Sequence, residues 1–378
     1  MPIRPLAGAC AALLLAACAT APAPRAPAPP PPAPAVADAP AAPADHLVPE
    51  AWESAMTPAE ELDSLATWTT PDGGTWLIAS AKSMHRLVVY DGETGEQLRT
   101  VGEKGDGPGQ FRRPNGVAVF GDHLFVVERD NRRVQVLSLP SFRPVGSFGA
   151  DVLRSPYGLW LNETEPGELE AYVTDSFMYG DHFDVLPPFK ELDQRVRRFR
   201  VQFDQSGRLR VHYAGAFGDT APATALRIVE SIAGDPAASR LMIADESRSD
   251  AEGHRGSTLR EYGFDGQPTG RSMPQGSFAA EAEGVALWSC PGGDGYWVAV
   301  DQLAPHTTFH VFDRDTLAPR GGFHGNATSF TDGIALDATA TRRFPGGALY
   351  AVDDDKAVTA FDLRDVAGAL GLDPSCVR

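Results

Sequence analysis

The chain runs to 378 residues with 50 acidic side chains against 33 basic ones, a net charge of −17. That balance argues against nucleic acid and an anionic membrane surface as electrostatic partners, and for a surface that attracts cations. The length exceeds the usual single domain, yet a radial repeat grows by adding units rather than by enlarging one core, so one structured domain suffices.

At the N-terminus, Arg4, an apolar stretch from Leu6 to Ala17 and the small-residue run Leu15-Ala16-Ala17-Cys18 lay out an export signal over residues 1–18, too short to span a bilayer. Its last four residues resemble a bacterial lipobox, which implies a lipid on Cys18 and a chain anchored to the membrane rather than crossing it. An ordinary signal cut nearby is the alternative. Ala19 follows where an inner-membrane lipoprotein carries a retention residue, which points to the outer membrane. On either reading the protein is expected to be exported to the envelope, the periplasm or the exterior. Residues 19–50 form an Ala/Pro-rich linker that includes Pro29 to Pro32. Such a run cannot bury enough apolar surface to fold and prefers extended polyproline geometry. Structure is expected to start near Trp52, giving one domain over 51–378.

Within that domain one pattern recurs six times: a polar residue beside a small one leads into an apolar strand, and a second apolar strand follows. The leading residues are Asp63, Asn115, Tyr157, Glu230, Glu283 and Asp332, and the second strands end at Ser80, Glu128, Asp175, Asp245, Asp301 and Asp353. A repeat of roughly 40–55 residues built of short strands is the signature of a β-propeller, because one small sheet cannot bury both faces until neighbours stack around an axis. The sequence therefore predicts an all-β, six-bladed β-propeller over about 60–367, closed by a short helix or coil from Asp365 to Leu370. Hairpins complete the blades, as where Arg86-Leu87-Val88-Val89-Tyr90 meets Asp91-Gly92-Glu93-Thr94-Gly95. Asp313-Arg314-Asp315 reads as another such turn, since it lacks the spacing and terminal Glu of an EF-hand.

Longer excursions at 176–194, 247–257 and 302–308 each follow a second strand. In a propeller the innermost strand starts on the face to which the second strand returns, so the leading residues and these insertions share one side, the usual binding side. The six leading residues then ring the channel mouth, with Glu128, Asp175, Asp245, Glu246, Asp301 and Asp353 just outside. Converging carboxylates repel unless cations neutralise them, and hard oxygen ligands without clustered Cys or His select Ca²⁺ or Mg²⁺. Other signals are weaker. Gly105-Asp106-Gly107-Pro108-Gly109 reads as an inter-blade turn, and His306 and His310, spaced for one strand face, lack a third ligand. With Cys10 lost with the signal and Cys18 lipidated, Cys290 and Cys376 either pair, pinning the tail to blade five, or stay as two buried thiols.

Two resemblances follow. Gly102 to Phe111, Pro114 to Val119 and Asp130 to Val136 look like one NHL-type propeller repeat. Over roughly 60–367 the chain resembles the bacterial β-propeller phytases, through Asp63-Ser64-Leu65-Ala66-Thr67-Trp68, Lys82, Tyr157-Gly158-Leu159, Glu230, Ile243-Ala244-Asp245-Glu246, Glu283-Gly284-Val285 and Thr331-Asp332-Gly333-Ile334. That resemblance implies a calcium-dependent 3-phytase-like phosphomonoesterase acting on myo-inositol hexakisphosphate or a related ester; a monomer is expected, and the acidic balance argues against a nucleic-acid partner. It implies Asp63, Glu230, Glu246, Glu283 and Asp332 as ligands of calcium or its water, Tyr157 beside them, and Lys82 and Arg129 on substrate phosphate. The chain departs from the family's pattern at Ala118, at Asp175-Ser176 where a phosphate-gripping lysine stands, and at Ser64 in place of a second Asp. Those departures leave two alternatives: a non-catalytic, envelope-anchored binding scaffold, and a lactonase-type hydrolase using one channel calcium.

Overall fold

The computed structural model describes residues 45–204, 206–248 and 256–377. The export signal, Cys18 and the Ala/Pro run before Asp45 lie outside the described residues. No helix among the described residues is long and apolar enough to cross a membrane.

The described chain forms six small sheets, antiparallel except for one edge strand of blade five, as a six-bladed β-propeller. The innermost strands are Leu62–Thr69, Pro114–Phe120, Pro156–Glu165, Val229–Asp235, Ala282–Ser289 and Ile334–Asp337. Each hydrogen-bonds to the second strand of its blade, and apolar alternation sends one side of each sheet against the next blade. One buried apolar cluster fills each seam. Ile78 and Val89 meet Val126 and Leu137 between blades one and two, and Trp288 and Val298 meet Leu349 and Phe361 between blades five and six. No single core exists, which is how a chain of this length remains one domain.

The polar-then-small pattern has a local cause. The register of the first five inner strands slips directly at the leading pair, between Leu62/Leu65, Pro114/Val117, Pro156/Leu159, Val229/Ile232 and Ala282/Val285. A bulge there turns the polar side chain into the channel and brings its small neighbour against the next blade's backbone. A Cβ on Gly158 would sit 2.1 Å from the Glu230 carbonyl oxygen, one on Gly116 2.4 Å from that of Tyr157, and one on Gly333 2.4 Å from that of Asp63. Only Gly or a small residue fits where inner strands meet so closely.

Closure uses residues from both ends. Trp52–Glu53 pairs with Ala357–Asp362 as the outer strand of blade six, and Asp45–Leu47 runs parallel to Pro319–His324 on the edge of blade five. The chain thus joins the propeller at Asp45, ahead of Trp52. Between the two strands, Glu50 accepts from the amides of Asn326, Ala327 and Thr328 at 2.9–3.0 Å. The chain ends in a helix, Leu363–Leu370, capped by Asp362 and stopped by Gly371 at φ 61°. Cys290 and Cys376 are disulfide-bonded, tying the tail to blade five. Asp313 forms the expected turn, accepting from the amides of Asp315 and Thr316. His306 precedes the strand Thr308–Asp313 and stacks on His324, so it does not share a strand face with His310.

Candidate cation site at the channel mouth

Five of the six leading residues, Asp63, Tyr157, Glu230, Glu283 and Asp332, line one small cavity at the mouth. The sixth, Asn115, donates from Nδ2 to Asp63 Oδ2 at 3.2 Å. The cavity measures about 20 Å³, room for one water or ion and not for a substrate, which would have to sit above it. Below it the six apolar residues that follow the leading pairs, Leu65, Val117, Leu159, Ile232, Val285 and Ile334, line the throat. The same throat is lined by the small members of the pairs, Ser64, Gly116, Gly158, Ser231, Gly284 and Gly333.

On the blade-four and blade-five side, Glu230, Glu246 and Glu283 bring one carboxylate oxygen each within 4.8 Å of one another. Glu230 is set by Thr174, whose hydroxyl accepts from Gly158 N and donates to the Glu230 carbonyl, both at 2.7 Å. Glu246 follows directly on the strand Arg240–Asp245, and its amide donates to Ile228 O at 2.9 Å. Its Oε1 is buried and bonded to nothing among the described residues. The Glu283 side chain lies in a residue only 6 % exposed. Burial and then the neighbouring carboxylates push all three acids well above the usual carboxylate range. Three hard oxygens, one orphaned, fit a divalent cation of the calcium or magnesium type.

The blade-six and blade-one side differs. Lys82 Nζ lies 3.0 Å from Asp63 Oδ2, 2.9 Å from Asp332 Oδ2 and 3.7 Å from Asp355 Oδ1. Burial pulls the ammonium's pKa down, but the three carboxylates outweigh it and hold Lys82 protonated. Asp332 also accepts from Gln302 Nε2, and burial with the charge of Asp63 raises its carboxyl to about 7 against the pull of Lys82.

The blade-two side is cationic. Arg129 NH1 donates to Tyr157 OH at 3.4 Å and Arg129 Nε to Asp130 at 2.8 Å. Its amide donates to the Arg113 carbonyl at 3.1 Å, which ties the two arginines' backbones together. Arg113 NH2 reaches Glu61 at 3.2 Å while its buried Nε has no partner among the described residues. Arg113, Asp355 and Gln302 were not expected at the site. Arg113 stands two residues before Asn115, and Asp355 two residues after Asp353, so proximity to the repeat was the available signal.

The acids at the second-strand ends do not form an outer ring. Glu128, Asp175, Asp245, Asp301 and Asp353 turn inward and are almost wholly buried. Each caps amides of its own blade's incoming loop, as Asp175 does for Ser155 at 2.7 Å, Asp301 for Ala280 at 2.8 Å and Asp353 for Ser329 at 2.9 Å. Arg133, Arg197 and Arg260 on the third strands neutralise Glu128, Asp175 and Asp245 at 2.6, 3.0 and 3.3 Å. Ala118, one of the departures, packs partly buried in the seam between blades two and three.

No protein-family model and no curated protein matches the chain. Among solved structures, hydrazine synthase of Kuenenia stuttgartiensis is similar at 15 % identity and a TM-score of 0.47, over 85 % of this chain and 82 % of that one. A chain of a nidogen/laminin complex is similar at 15 % identity and a TM-score of 0.44, over 73 % of this chain and 84 % of the other. Likeness at this level carries no argument about function.

Proposed function

We propose that the mouth is a calcium-dependent site for a phosphorylated small molecule, and that the chain is a phosphomonoesterase acting on a phytate-like ester. The observation that carries this reading is a convergent glutamate triad, with Glu246 Oε1 unpartnered among the described residues, in the same mouth as Tyr157, whose hydroxyl accepts from the Arg129 guanidinium. Glu230, Glu246 and Glu283 would hold the ion. Bound there, it would supply a Lewis acid toward a phosphoryl oxygen and lower the pKa of a bound water. Arg129 and Arg113 align the anionic ester and offset charge gathering on its equatorial oxygens. Tyr157 offers a hydroxyl to a phosphoryl oxygen once Arg129 turns to the ligand. An outer-membrane lipid anchor at Cys18 would hold this mouth in the envelope.

A second reading, cation-dependent binding without turnover, is favoured by two facts. Lys82 is committed to carboxylates, and at Asp175-Ser176, where the family has a phosphate-gripping lysine, Asp175 is buried as a loop cap and the Ser176 hydroxyl accepts from the Val229 amide. The test is phosphate release from calcium phytate by the purified full chain, with and without chelator, alongside phytate binding by calorimetry. Release that stops in chelator supports the enzyme. Calcium-dependent binding with no release supports the second reading, and neither binding nor release overturns both.

A further inference from the structure

The mouth contains as many as six acids near one another, and the resemblance to calcium phytases would suggest that several ions neutralise them. The geometry divides them differently. Glu230, Glu246 and Glu283 have no cation of their own among the described residues, whereas Asp63, Asp332 and Asp355 already share one, the ammonium of Lys82. An ammonium has three N–H donors and no more. Lys82 Nζ donates to Asp332 at 2.9 Å and lies 3.0 Å from Asp63, with Asp355 Oδ1 at 3.7 Å, an ion-pair distance beyond hydrogen-bond reach; with a side chain only 9 % exposed among three carboxylates, its charge is turned inward rather than toward a phosphate. The position is built for positive charge in other ways. Asn115 is 1 % exposed and its Nδ2 donates to the same Asp63 oxygen that Lys82 holds, while its Oδ1 is buried without a partner among the described residues. Lys82 itself is fixed from behind, its amide donating to Glu61 O at 2.8 Å.

We propose that Lys82 is a tethered counter-ion standing in a second cation position of the mouth, so that the protein loads one divalent ion, at the glutamate triad, and the lysine is not a phosphate ligand. This rests on the calcium reading of the triad and deepens it. The lysine keeps the blade-six side neutralised whether or not calcium is present, and it leaves Arg129 and Arg113 as the anion-facing cations. Removing it converts Asp63, Asp332 and Asp355 into a vacant set of hard oxygens with Asn115 Oδ1 at its edge.

The test counts ions. Equilibrium dialysis of the purified full chain against calcium should give one bound ion at the mouth in the parent and one more in Lys82→Ala. The gain should vanish in Lys82→Ala/Asp332→Asn. Equal stoichiometry in parent and Lys82→Ala overturns the proposal. The parent's own value tests the triad separately: a parent that binds none while Lys82→Ala gains one would sink the triad and keep the tethered counter-ion. Lys82→Met, which keeps most of the stem, guards against a simple folding defect. Its melting temperature should fall in chelator and recover in millimolar calcium by more than the parent's rises, and a fall that calcium does not reverse contradicts the proposal.

Discussion

Replacing Glu246 by Gln changes one charge and almost no volume at a point where the mouth is most frustrated. Two unit charges 4.8 Å apart interact by about 3.5 kcal/mol at an effective dielectric of 20. Glu246 faces two such neighbours, Glu230 and Glu283. Burial and mutual repulsion favour the protonated acids and so offset part of this, and Glu246→Gln should recover on the order of 1 kcal/mol at pH 8. The direction follows from the raised acids: folded-state pKa values above the unfolded value make the fold bind protons, so this stability is fully present below about pH 4.5 and is lost as pH rises through the folded values. In chelator, the parent's melting temperature should therefore decline as pH climbs from about 5 to 8, and Glu246→Gln should decline less and stand higher at pH 8. In millimolar calcium the order should invert, since an ion bound only to the folded parent adds about 2.7 kcal/mol at a hundredfold excess over Kd. Differential scanning calorimetry across pH, with and without chelator, reads all of this. A Glu246→Gln protein that melts below the parent in chelator at pH 8, with calcium inert on both, would refute the reasoning and show the triad to be satisfied as it stands.

Gly158→Ala should destabilise by about 3 kcal/mol and lower calcium affinity, because its Cβ would press on the Glu230 carbonyl; chemical denaturation and calcium titration check it. Reducing the Cys290–Cys376 bond, or Cys376→Ser, opens a loop of 86 residues and should cost about 4–5 kcal/mol on the chain-entropy account, read from denaturation curves with and without reductant. Arg129→Ala and Arg113→Ala should each weaken phosphate-ester binding about tenfold, roughly 1.4 kcal/mol, while calcium affinity in dialysis stays near the parent's.

The blades and the inner ring were legible because the bulge at each inner strand imposes a recognisable pair, polar then small, that survives even where blades one and four use Ser64 and Ser231 instead of Gly. Closure was not legible. Two residues, Trp52–Glu53, complete blade six, and three more, Asp45–Leu47, extend blade five, too few for any alternating pattern to show. The acids at the second-strand ends were readable as positions but not as roles. Whether Asp175 faces a mouth or caps Ser155 depends on Arg197 across the third strand, a partner visible only once the register is known. Lys82 and Asp332 are 250 residues apart in sequence and 2.9 Å apart in space, so the fate of the lysine's charge could not be read along the chain.

Anomalous scattering from crystals of the protein grown with terbium in place of calcium addresses the central claim most directly, because it locates the ion rather than inferring it. One strong peak is expected at the mouth, among the carboxylates of Glu230, Glu246 and Glu283, with Lys82 still seated between Asp63 and Asp332. An empty mouth at saturating terbium, or a peak that displaces Lys82 while the triad stays bare, would contradict that claim.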